Sequence, residues 1–411
     1  MDGLEYLRLN QKRAQKYPEY LRTGVAGFRQ CISPAISEES VISIPGRHVF
    51  AGYYDIPNVA PDGFRLFFLS VAKDAIPQDD PADICLYDLR SRSWTVVAKT
   101  RAWCWQQGAR VRWDMKGNDG LLFNDYDGTR YVTRRICLPV RTVAEFLPVP
   151  TYDINEGAGI AFTLNFDRLQ RLRPGYGYAC RGDWSADMSA PADDGLFRVD
   201  IRTKTSKLIF SLCELARQVS SNSGEHHYLN HVSLSPSGMR VMFFHLWASD
   251  PLGMWKMRLM VANADGTQLK ALEDSDIVSH YAWIDDHRLL TTRLSSSGSC
   301  YVIYDVESGL KQRIGNSNLS CDGHPSVLAN GHDFIADTYP LDNSLQHLFL
   351  ADIDGLSYEP LYSAFSDPRF YIERRCDMHP RLNRTFNLIN LDSTFSDGLR
   401  KVIVLRLKNR G

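Results

Sequence analysis

The sequence predicts an all-β fold, a seven-bladed β-propeller with a short N-terminal helical extension. Three observations predict it. From about residue 41, short runs rich in β-branched and aromatic residues follow one another, with turn residues between them. The segment "APDGFRLFFL" at 60–69 returns as "SPSGMRVMFF" at 235–244 and as "LANGHDFIAD" at 328–337. Between these lies a second recurring signature, in "LYDLRSRSW", "FRVDIRTKTSKL", "MVANADGTQL", "YDVESGLKQ" and "LADIDGLSYEPL". Each is a strand ending in Asp or Asn, a polar turn and a resumed strand. Two hairpins per unit make the four-stranded antiparallel blade of a propeller.

The first element is helical. Leu4, Leu7, Leu9, Tyr17, Tyr20 and Leu21 recur at helical spacing, with Arg and Lys between them as the solvent face. Residues 1–40 are therefore expected to form the extension and 41–411 the propeller. The units fall near 46–98, 100–148, 150–212, 226–273, 276–316, 320–363 and 371–411. That spacing is about 50 residues per blade, within the range of propeller repeats. "VISI" at 41–44 is expected to add the outer strand of the last blade and close the ring. A pair of packed β-sandwiches would use similar strands, but the repeat runs evenly along the whole chain.

Composition narrows the function classes. The 411 residues are 44% hydrophobic and 23% charged, as in ordinary globular proteins, and the formal net charge is -1. No global field would draw the chain to nucleic acid or an anionic membrane. No apolar run suits a signal peptide or a membrane span. The nine cysteines lack framework spacing, which suits reduced thiols and a cytoplasmic setting. There is no phosphate-binding glycine loop, no nucleophile elbow and no zinc-protease helix motif.

The histidines are the strongest chemical signal. Ten of eleven lie between 226 and 379. His231, His280, His324 and His379 occupy equivalent places before or within the first strand of four consecutive units. In a propeller such positions converge at one end of the central channel. Two come with other ligand types, in Cys321-Asp322-Gly-His324-Pro and Cys376-Asp377-Met-His379-Pro. Thiolate, carboxylate and imidazole in one short stretch suit a divalent metal, zinc for a Cys/His set or manganese for Asp/His/Gln. The alternative is structural: each Asp bonds its own turn and each His packs on the next blade.

Arginine and aromatic residues form a second constellation. "LNFDRLQRLRPGYGY" at 164–178 sets Arg168, Arg171 and Arg173 beside Tyr176 and Tyr178 in what reads as a loop. Such a loop can clamp a carboxylate and stack a sugar ring; otherwise its arginines pair with neighbouring Asp. "GYYDIPNVAPDG" (52–63) and "WCWQQGARVRW" (103–113) add Tyr53, Tyr54, Asp55, Gln106, Gln107 and Arg112 at two further blade starts.

Together "GYYDIP", "WQQGARVRW", "LNFDRLQRLRPGYGY", "HYLNHVSLSPSG", "VSHYAW", "DGHPSV", "ADTYP" and "RCDMHPR" resemble a propeller family encoded among bacterial polysaccharide genes. That family is similar to oligogalacturonate lyases and, more distantly, to ulvan lyases. The resemblance implies a manganese ion held by histidines and a glutamine, with His280 and His324 matching ligands and His231 or His227 the base. Cys321 and Asp322 stand where the glutamine would be sought. The ulvan lyase likeness implies zinc, with Cys376 a ligand.

The chemistry implied is β-elimination on a uronic-acid-containing oligosaccharide or polysaccharide. The expected metal set is His280, His324, Asp322, Cys376 and His379. Arg168 or Arg173, with the ion, would neutralise the uronate; His227 or His231 would take the C5 proton; Tyr339 would act as acid. Tyr54, Asp55, Gln107, Arg112, Tyr176, His226 and His245 are expected to contact substrate. The alternative function is a non-catalytic propeller that binds glycan or a partner in bacterial polysaccharide biosynthesis.

Overall fold

The computed structural model describes residues 9, 11–31, 33–116, 119–222, 224–250, 255–341, 343–383 and 387–408. Seven antiparallel sheets succeed one another along the chain, spanning 47–100, 112–147, 153–211, 226–273, 277–313, 326–365 and 381–407. In the first six the four strands are added in chain order from the inside outward.

The burial pattern follows from the stacking of blades. Second strands are covered on both faces, so Arg65–Ala72 and Arg240–Ala248 read as near-continuous apolar runs. The outer strand Ser93–Thr100 is largely exposed. The apolar clusters accordingly lie between neighbouring blades: Phe67 and Trp113 share one, Tyr301 and Phe349 another. At the turn of the repeated Pro-x-Gly signature, Gly238 has φ +78°, and a Cβ there would meet the Ala158 side chain at 2.8 Å. Only glycine suits both conditions.

The ring closes through the N-terminal segment. Strand Ile36–Ile42 pairs antiparallel with the C-terminal strand Lys401–Leu407, Ile42 opposite Val402, and forms the outer edge of the seventh blade. Strand Arg29–Cys31 pairs with Tyr358–Phe365 and gives the sixth blade a fifth strand. Propeller strands thus begin inside the segment that helical spacing assigned to an extension. Helical structure is confined, among the described residues before the first strand, to Leu9, residues 11–15, Tyr17–Thr23 and Val25–Gly27. Leu4 and Leu7 lie outside the described residues. Pairing with an open sheet edge outweighs the weak helical period beyond residue 28.

The helical part is tied to the loops that precede strand Leu345–Asp352 and follow strand Tyr358–Phe365 of the sixth blade. Buried Arg13 donates from Nε to Ser344 Oγ at 2.8 Å and from Nη2 to the Ser366 carbonyl at 2.9 Å. Tyr20 meets Phe365 edge-on at 5.6 Å, and the Arg369 guanidinium lies 4.4 Å from the Tyr17 ring. Among the described residues, no helix is long and apolar enough to cross a membrane.

Candidate metal centre at the head of the channel

Inner strands deliver the histidines to one place. His280 lies on Ile277–Trp283, while His324 and His379 each stand two residues before the inner strands Ser326–Val327 and Arg381–Asn383. His231 belongs to His226–Leu234, where pairing with Arg240–Ala248 slips between Asn230 and Ser233. Such a bulge re-aims a side chain. His231 and His379 have φ +53° and +46°, values uncommon outside glycine. Backbone strain of this kind concentrates at functional sites.

The imidazoles are in contact. Ring centroids lie 4.0 Å apart for His280 and His324, and 4.4 Å for His324 and His379. Tyr53 bridges to the fourth, at 4.7 Å from His379 and 5.2 Å from His231. Ligand atoms of His324, Asp377 and His379 all lie within 4.8 Å of one another.

Hydrogen bonds fix which nitrogens are available. His324 Nδ1–H donates to Asp337 Oδ1 at 2.8 Å, and its Nε2 is buried without a hydrogen-bond partner. His379 Nδ1–H donates to the Gly52 carbonyl at 3.2 Å, and its Nε2 is likewise unpartnered. His280 Nδ1–H donates to Asp322 Oδ1 at 3.0 Å. Outer carboxylates and carbonyls that orient an imidazole in this way are typical of metal ligands. With the Asp377 carboxylate, the unpartnered nitrogens form an N/N/O donor set that fits a divalent ion such as manganese or zinc.

The electrostatics separate the histidines. Burial pushes His231 and His379 well below the ordinary imidazole value, and the neighbouring His280 and His324, respectively, act in the same direction. Burial also lowers His280. Burial would lower His324 too, but the Asp337 carboxylate outweighs it and leaves that group raised. Asp322 is partly buried, which raises its carboxyl, yet pairing with His280 and bonds from Ser279 and Thr292 hold it down at about 2.

Several residues expected at the site are used otherwise. Asp322 accepts from Ser279, Thr292 and His280, orients His280, and is not among the grouped ligands. Cys376 is buried, its thiol pushed up to about 12, and lies outside the ligand group. "LNFDRLQRL" is a helix at Phe166–Leu172, capped by Asn165, rather than a loop. Arg168 is buried in it and donates to the carbonyls of Ser185, Met188, Ser189 and His227, which leaves it no free fork for a carboxylate. His227 stacks on His245 and Trp247, away from the four-imidazole group, and shares a 3.0 Å hydrogen bond with His245. His245, fully buried, also accepts from Arg258 Nε. His226 is partly exposed beside Met188 and Arg171.

Polar residues of "GYYDIP" and "WQQGARVRW" are tied to other blades. Asp55 is clamped by Arg110 through two 2.9 Å bonds, and the Tyr54 hydroxyl bridges the backbone N–H and carbonyl of Tyr281. Gln107 donates to Tyr152 and Asn230, while Arg112 pairs with Asp153 at 2.8 Å. Residues that do stand around the imidazoles are Tyr54, with its ring 5.1 Å from His324, Tyr339, with its ring 5.7 Å from His324, and Tyr176, with its ring 5.7 Å from His231. Arg173 is half-buried over Tyr176 and Trp255, and its charge acts on His231. The roles of Asp337 and Arg375 were not read from sequence. Arg375 grips Asp377 at 2.7 Å and donates to the Tyr176 hydroxyl. The one sequence signal for Asp337 was its place in "ADTYP", at the end of a strand.

No protein-family model and no curated protein sequence matches this chain. In three dimensions it is similar to an oligogalacturonate lyase in complex with manganese, with TM-score 0.66 and 15% identity over 93% of this chain and 98% of that one. An oligogalacturonate lyase from Vibrio parahaemolyticus gives TM-score 0.64 and 12% identity over 93% and 97%. The chain is a seven-bladed β-propeller. A puromycin hydrolase shares the propeller at TM-score 0.51 and 11% identity, over 88% of this chain and 52% of that one. At these identities the likeness shows the fold alone, and function must be argued from the site.

Proposed function

We propose that this propeller holds a divalent ion, manganese or zinc, on His324, Asp377 and His379 with His280 beside them, and catalyses β-elimination on a uronic-acid-containing oligosaccharide or polysaccharide. The observation that carries the reading is the contact of these imidazoles, two with buried unpartnered Nε2 atoms, beside the Asp377 carboxylate. The likeness in fold to oligogalacturonate lyases supports the reaction class.

The C5 proton of a uronate is weakly acidic, and its removal requires that the adjacent carboxylate be neutralised. An ion, when bound, would supply positive charge there, and Arg173, whose charge acts on His231, supplies more. His231 is the base. Its Nδ1 is unpartnered, and burial keeps the ring neutral. The C5–H bond breaks toward His231, its electrons form the C4–C5 double bond, and the C4–O bond breaks. Tyr339, held protonated by burial, returns a proton to the leaving oxygen.

The test is incubation with galacturonate- and glucuronate-containing oligomers, with and without added Mn2+ or Zn2+, followed by the ultraviolet absorbance of the unsaturated product. Absorbance growth that His231→Ala reduces at least about 100-fold supports the reading. Binding of oligomers without any unsaturated product points to the non-catalytic glycan-binding propeller.

A further inference from the structure

Tyr53 is 1% exposed, and its hydroxyl has no hydrogen-bond partner. Its ring meets those of His379 at 4.7 Å, His231 at 5.2 Å, His324 at 6.0 Å and Tyr176 at 6.1 Å. Stable folds rarely strand a buried hydroxyl, because it loses its bonds to water and gains nothing. The adjacent Tyr54 shows the contrast. Its hydroxyl is satisfied twice by the Tyr281 backbone, whereas the Tyr53 hydroxyl has no hydrogen-bond partner.

The backbone holds Tyr53 in this place. Gly52 has φ +101°, and a Cβ there would lie 3.1 Å from the Gln107 carbonyl oxygen. The Gly52 carbonyl accepts from His379 and Arg381, and the Tyr53 carbonyl accepts from Arg381. The turn that orients His379 is thus the same turn that carries Tyr53.

His324, Asp377 and His379 offer three donor atoms, whereas zinc takes four and manganese up to six. We infer that the Tyr53 hydroxyl oxygen belongs to the ion-holding set formed with His324, Asp377 and His379. This rests on the metal reading of the site and adds a member outside the expected set of His280, His324, Asp322, Cys376 and His379.

Tyr53→Phe keeps the ring packing and removes only the hydroxyl. Mn2+ and, separately, Zn2+ would be titrated by calorimetry into the metal-free full chain and its Tyr53→Phe variant, and Tm of both metal-free proteins recorded. The expected result is an affinity for at least one ion weakened about tenfold, with a metal-free Tm equal to or above that of the wild type. Unchanged affinity for both ions overturns the inference. So does a lower metal-free Tm in the variant, which would assign the hydroxyl to the fold. A wild-type chain that binds neither ion removes the metal reading and this inference together, and that outcome is visible without the variant.

Discussion

His324 is defined as much by Asp337 as by its own ring. The carboxylate receives both the His324 backbone N–H, at 2.7 Å, and its Nδ1–H, at 2.8 Å, so one residue fixes tautomer and orientation. Asp337→Asn should therefore weaken Mn2+ or Zn2+ binding by about 10- to 100-fold although Asp337 is not in the grouped ligand set. Cys376→Ser should leave both affinities unchanged, since the thiol is buried outside that set. Calorimetric titration of the two variants reads both outcomes. Loss of the ion in Cys376→Ser would return the site to a cysteine-containing centre.

Among elements, the irregular inner strands carry the chemistry. Regular ladders in the second and third strands build the blades, while slips and turns in the first strands aim side chains across the channel. The segment after Arg47–Phe50 illustrates this. Gly52 turns the chain so that Tyr53 meets the histidines and Tyr54 reaches Tyr281, far away in sequence. Gly52→Ala places a side chain where φ is +101° and the Gln107 carbonyl is 3.1 Å away. It should cost about 1–3 kcal/mol of stability and weaken ion binding, because the Gly52 carbonyl holds His379. Denaturant unfolding with a metal titration checks both; an unaffected variant would show that the turn tolerates a side chain.

For the molecule as a whole, closure of the ring and burial of neutral imidazole set the stability. Truncation through residue 28 leaves strand Ile36–Ile42 paired with Lys401–Leu407, whereas truncation through residue 43 exposes the last blade's edge. The longer truncation should lower Tm further and aggregate on light scattering; equal behaviour of the two would mean that closure contributes little. Acid should also destabilise the protein. Burial lowers His48 and His227 from 6.5 to about 4. The unfolded chain then binds more protons than the folded one below about pH 6.5. Their contribution is present in full above that pH and is lost as pH falls toward about 4. His48 Nδ1 accepts from the Arg400 N–H and its Nε2–H donates to the Lys73 carbonyl. His48→Gln, able to accept and donate but not titrate, should flatten the fall of Tm over that range. An unaltered slope would show that His48 is not among the groups responsible.

The sequence by itself determined the blade repeat, because each blade is a local unit whose turns and apolar runs recur whatever lies beside it. It also determined that His231, His280, His324 and His379 would meet, since equivalent positions in successive blades share one axis. Beyond that its reading ran out. Whether Asp377, Asp322 or Cys376 faces the imidazoles depends on how the irregular segment before each inner strand turns, as the positive φ of His379 shows. Whether Arg168 is a ligand clamp or a buried tie depends on carbonyls supplied by Ser185 to Ser189 and by another blade at His227. Tyr53 and Tyr54 are the same residue type at adjacent positions, and both rings meet the histidines, yet the Tyr281 backbone binds the Tyr54 hydroxyl while the Tyr53 hydroxyl has no hydrogen-bond partner. Local spacing fixes where a residue stands in its blade. Its partners come from blades far away in sequence, and these decide what its side chain does.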